Sequence, residues 1–117
     1  MILVDTSVWI EHLRRGDEKL KALLEAGQVF VHPFVLGELA LGNLRQRQSI
    51  LQLLHDLPHV KSASDGEVLA FIGAHAIFGL GIGFVDAHLL AATRLTNTQL
   101  WTRDKRLHDV AVKLGFA

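Results

Sequence analysis

MILVDTSVWIEHLR, residues 1–14, decides the architecture. Ile2-Leu3-Val4 is an apolar run, β-branched at two positions, and Asp5 ends it. A run with no polar alternation suits a strand buried on both faces, as in a parallel sheet. Asp5-Thr6-Ser7 then offers helix caps. Val8, Trp9, Ile10 and Leu13 carry an apolar helix that Gly16 stops.

Outward from this stretch, strand and helix signals keep alternating. Asp17-Glu18 opens a second helix, with Leu20, Leu23 and Leu24 on one face and Gly27 at its end. Val29-Phe30-Val31 reads as a strand, and Pro33 suits the first turn of a helix carrying Val35, Leu36, Leu39 and Ala40. Gly42-Asn43 ends it. A further helix runs near Gln46 to Leu54 and stops before Pro58, and His59-Val60 is a minimal third strand. Ser64 and Glu67 form a capping box for a long apolar helix through Val68, Leu69, Phe71, Ile72 and Ile77. After Gly79, Gly81 and Gly83 comes a helix from about Phe84 to Leu95. Leu100-Trp101 is a fourth strand, and Asp104 caps a last helix carrying Leu107, Val110, Ala111 and Leu114. The expectation is one α/β domain over residues 1–117, a parallel sheet covered by helices on both faces.

Composition narrows the function classes. The formal net charge is zero, so any phosphate-binding surface must be local. With no cysteine, disulfides and thiolate metal sites are excluded. The first residues lack the basic start of a signal peptide. Apolar runs are broken by Glu38, Asp86 or glycines before the roughly 20 residues of a membrane span. A soluble, cytoplasmic protein is expected, with no membrane partner.

Four acids stand out. Ligand sites in open α/β sheets lie beyond the carboxyl ends of the strands, where Asp5 and Asp104 fall. Glu38 in VLGELALG and Asp86 in GFVDAHLLAA sit among apolar residues on helices that look buried. Buried carboxylates are rare unless paired or metal-bound. Each also has a plain role: Asp5 and Asp104 as helix caps, Asp86 in a first helical turn, Glu38 facing solvent. If all four converge, their pKa values rise unless a cation sits among them. Hard oxygen ligands select Mg²⁺ or Mn²⁺, which generate a nucleophilic water and neutralise charge on a phosphate.

The chain resembles a PIN domain, specifically the VapC toxin subgroup of type II toxin–antitoxin (VapBC) systems. The stretches that carry the resemblance are MILVDTSVWIEHLR, VLGELALGN, GIGFVDAHLLAA and LWTRDKRL. It implies a PIN-like three-layer sandwich with a short parallel sheet of four to five strands. It matches Asp5, Glu38, Asp86 and Asp104 to the four family acids, which bind Mg²⁺ or Mn²⁺ and cut RNA. Ser7 and Thr102 match hydroxyls that support the acids or metal waters. It also implies a homodimer, a VapB-type antitoxin that blocks the site, and a higher toxin–antitoxin assembly. The sequence after Leu114 leaves room for only a very short fifth edge strand.

Other features carry weaker alternatives. His55 and His59 are four apart, but Pro58 intervenes, so a zinc pair is disfavoured. The glycines at 79, 81 and 83 follow a helix, unlike a nucleotide loop, and read as a helix end and turn. Arg45, Lys105 and Arg106 follow the site helices and are candidates for RNA phosphate contacts. Trp9, Leu13, Leu20 and Leu24 form either an ordinary core face or a groove for an antitoxin helix. Two other functions compete with the nuclease: a catalytically silent PIN-like module binding a cation or partner, and a receiver-type phosphoacceptor. The mid-chain acids lie in helical patterns, which disfavours the latter.

Overall fold

A computed structural model describes residues 1–117. The elements run β1 (Ile2–Val4), α1 (Thr6–Arg15), α2 (Glu18–Glu25), β2 (Val29–Phe30), α3 (Pro33–Leu41) and α4 (Arg47–Asp56). Then follow α5 (Asp65–Ala74), α6 (Phe84–Thr96), β3 (Gln99–Trp101) and α7 (Lys105–Lys113). All strands are parallel, in the order β2-β1-β3, with Leu3 opposite both Phe30 and Leu100. The order reverses direction at β1. Right-handed crossovers in that order put the β1-to-β2 and β2-to-β3 connections on opposite faces of the sheet. The α/β expectation therefore holds.

The strand count does not. Three strands form rather than four to five. His59 makes only an isolated parallel bridge to Val31. Pro58 accepts from Val31 N–H at 2.9 Å but has no N–H to return, so the pairing stops almost where it starts. At the other edge, Leu100 N–H donates to Phe116 O at 2.8 Å, one ladder-like bond in place of a fifth strand. Nor does α5 reach Ile77. It ends at Ala74, and Ala76 takes a left-handed φ of 51°.

Twenty-three buried residues form one apolar cluster. Leu3 and Val4 of the central strand are fully inaccessible. Trp9 and Leu20 belong to this cluster, and Leu13 and Leu24 pack against it. The apolar face of α1 and α2 is therefore mainly core, with Leu13 also lining a surface groove.

Helix α3, which carries Glu38, begins at an unusual cap. His32 occupies the N-cap, and its Nδ1 accepts from Phe34 N–H at 2.9 Å. Only an unprotonated Nδ1 can accept. Burial, helped by the charge of His88, depresses the His32 pKa from 6.5 to about 4. Between those values the unfolded chain binds the proton more readily than the folded one. His32 is therefore expected to make stability fall as pH drops from 6.5 towards 4. Denaturant titrations across that range, wild type against His32→Asn, measure the slope; equal slopes would remove His32 as its source.

Candidate active site

Asp5 follows β1 and Thr102 follows the adjacent β3, so the first acid stands at the point where the strand order reverses. This is the crevice that open α/β sheets use for ligands. Asp5 occupies the N-cap position of α1 but makes no side-chain cap bond. Its Oδ2 instead accepts from Ser7 Oγ at 2.8 Å and Thr102 Oγ1 at 2.7 Å. Both hydroxyls are held in turn. Arg103 N–H donates to Ser7 Oγ, and Asp104 N–H donates to Thr102 Oγ1, each at 3.0 Å. The result is a fixed carboxylate, 7% exposed, with Oδ1 unclaimed by any protein donor.

The other acids arrive from three helices. Asp104 is the N-cap of α7, and its Oδ1 accepts from Leu107 N–H at 2.9 Å. Asp86 lies in the first turn of α6 and its Oδ2 accepts from Gly83 N–H at 3.0 Å. The plain capping roles are thus real for Asp104 and Asp86, and absent for Asp5. Glu38 is exposed, contrary to the buried setting read from VLGELALG. Its neighbours Val35 and Leu39 take the core-facing positions of α3 instead. Thr6 Oγ1 donates to Glu38 Oε1 at 2.8 Å. Thr6 was passed over in the sequence, where only its place beside Asp5 marks it.

The electrostatics tie the four together. Burial raises the Asp86 pKa above the ordinary carboxylate value. The Gly83 N–H opposes this, and the charges of Asp5, Asp104 and Glu38 add to it. No cation contributes to lowering it. Residues up to 99 positions apart therefore share one negative field, three of them at a strand end or helix start and Glu38 within α3.

The expected basic residues are placed differently from one another. Arg45 and Glu38 line the same groove, of about 680 Å³, together with Ile10, Leu13, Arg14 and Ile50. Lys105 Nζ pairs with Asp109 at 3.1 Å on the exposed face of α7. Arg106 makes no ion pair and lies against Gly81. Among the histidines, His59 Nε2 contacts His55 O at 2.9 Å, and buried His88 engages Asp65 at 2.8 Å.

The fold agrees with a known family. The PIN domain family model matches residues 2–113, which is nearly the whole chain. The chain belongs to the PIN domain family. This PIN domain is 47% identical over 118 residues to Ribonuclease VapC32 of Mycobacterium tuberculosis strain CDC 1551 / Oshkosh. That match covers all of this chain and 95% of the relative. Ribonuclease VapC32 of strain ATCC 25618 / H37Rv matches to the same extent. The donor set of this PIN domain consists of hard oxygens, which suits a small divalent cation. No three histidine or acidic side chains stand close enough to cage an ion. No helix is long and apolar enough to cross a membrane.

Proposed function

We propose that this PIN domain is the toxin of a VapBC-type pair, a cytoplasmic Mg²⁺- or Mn²⁺-dependent endoribonuclease that hydrolyses RNA phosphodiester bonds. The observation that carries the reading is the raised Asp86 carboxyl, burdened by burial and by three further acids with no cation to offset them. Such a cluster is unfavourable for the metal-free fold and is relieved by a bound cation. Asp5, Glu38, Asp86 and Asp104 would hold the ion. When bound, it supplies an activated water and neutralises charge on the phosphate.

The chain's own residues do the positioning. Ser7 and Thr102 hold Asp5 Oδ2 and so leave Oδ1 as its free oxygen. Thr6 restrains Glu38 in the same way. Arg45, Lys105 and Arg106 are the proposed phosphate contacts. Lys105 must first leave Asp109, an exposed pair worth about 0–1 kcal/mol. The groove beside Glu38 is the proposed seat of the VapB-type antitoxin. Ile10, Leu13 and Ile50 provide apolar anchors, and Arg14 and Arg45 favour an acidic residue on the partner. A homodimer within a larger toxin–antitoxin assembly completes the reading.

Support comes from the PIN match and from the name of the 47% identical relative. The test is cleavage of a mixed RNA pool by antitoxin-free protein, in Mg²⁺ or Mn²⁺ against chelator. Cutting is expected only with metal. Folded protein that binds metal but leaves every RNA intact would instead make this chain a cation- or partner-binding module.

A further inference from the structure

Arg106 and Gly81 form a contact that neither the acid cluster nor the capping pattern explains. Gly81 lies in the loop between α5 and α6, five positions before Asp86. Its φ is +79°, a left-handed backbone that side chains disfavour. A β-carbon there would stand 2.8 Å from Arg106 Nη1, 3.1 Å from its Cδ and 3.3 Å from its Cζ. The arginine therefore occupies the space that a side chain at position 81 would enter, and would have to move to admit one. Arg106 itself is two positions after Asp104, in the first turn of α7. It thus links the segments that present Asp86 and Asp104.

The guanidinium is also unspent. It makes no ion pair and no hydrogen bond, while Lys105 beside it is tied to Asp109 and Arg103 to Asp17. An exposed guanidinium with no ion-pair or hydrogen-bond partner, lying beside the loop that leads to Asp86, is set up for an anion from outside. Guanidinium binds phosphate bidentately, and its fork is worth most when held in place beforehand.

We infer that Arg106 contacts a phosphate of the RNA strand next to the bond being cut, and that Gly81 is its positioning residue. This rests on the ribonuclease reading above and separates Arg106 from Lys105 and Arg45, which have no such seat.

The test is a double-mutant cycle of wild type, Gly81→Ala, Arg106→Ala and the pair, using a mixed-sequence single-stranded RNA pool. Half-saturating RNA concentration, maximal rate in Mn²⁺ and salt dependence are read for each. Gly81→Ala is expected to raise the half-saturating concentration about tenfold, as Arg106→Ala does, with the maximal rate changed far less. Both lower the salt slope by about one phosphate contact. In the Arg106→Ala background, Gly81→Ala should add nothing to these readings. Its backbone strain would still lower the melting temperature in both backgrounds, which separates strain from positioning. Arg106→Lys should keep most of the salt slope and lose part of the affinity. A Gly81→Ala effect on RNA of equal size with and without Arg106 overturns the inference alone. Wild type that neither binds nor cuts the pool overturns the ribonuclease reading and this inference together.

Discussion

Asp86→Asn should reduce metal-dependent RNA cutting about a thousandfold and, in the same protein, raise the melting temperature measured in chelator. The two effects have one cause. Burial and the fields of Asp5, Asp104 and Glu38 disfavour a charged Asp86. Asparagine removes that charge but keeps an oxygen able to accept from Gly83 N–H. The start of α6 is then retained while the site loses a metal-binding oxygen with full charge.

The pH dependence follows from the raised pKa. Between 3.8 and its folded value, Asp86 binds more protons in the folded state than in the unfolded one. Its contribution to stability is fully present below 3.8 and is lost as pH rises through the folded pKa. This runs opposite to His32, whose contribution is lost as pH falls. Asp86→Asn therefore removes the acid-side gain and leaves the His32 loss exposed. Added Mn²⁺ should stabilise wild type at neutral pH far more than the variant. An active, folded Asp86→Asn protein would remove Asp86 from the mechanism. A variant no more stable than wild type in chelator would show that the acids do not strain the fold.

Leu3→Ala should destabilise the protein by about 3–4 kcal/mol, lowering the melting temperature by roughly 10–15 °C. Leu3 is the middle residue of the central strand, inaccessible to solvent, and lies between Phe30 and Leu100 in the ladder. Truncation leaves a cavity that a three-stranded sheet cannot close by sliding, because both neighbours are hydrogen-bonded to β1. Total stabilities near 5–15 kcal/mol make this a large fraction. The site sits one residue beyond β1, so its bonds to Asp5 should survive wherever the variant remains folded. Thermal unfolding monitored by circular dichroism checks the first effect, and cleavage well below the transition checks the second. A shift of only a degree or two would mean that β1 is not the packing centre.

Much of the fold could be read in the sequence because local signals agreed with tertiary demands. Ile2-Leu3-Val4 is uninterrupted and apolar, and it became the strand buried on both faces. Ser64 and Glu67 form the capping box that their spacing announces, with both reciprocal bonds in place. The errors lie where one residue overruled a pattern. Pro58 cut the His59-Val60 strand to a single bridge, and Ala76 in the left-handed region ended the helix expected to reach Ile77. VLGELALG suggested a buried Glu38, yet on a helix Val35 and Leu39 turn inward while Glu38 points away.

By itself, the sequence determined the α/β class, the position of β1 and which four acids deserved attention, because strand and helix periods and caps are written in neighbouring residues. Only the tertiary structure decided how those acids relate. The strand order β2-β1-β3 brings Thr102 beside Asp5 across 97 positions, and no local pattern encodes that pairing. The same holds for Thr6 on Glu38 and for Arg106 on Gly81. A carboxylate's oxygen is fixed by what packs beside it, and in a parallel sheet those neighbours come from distant parts of the chain.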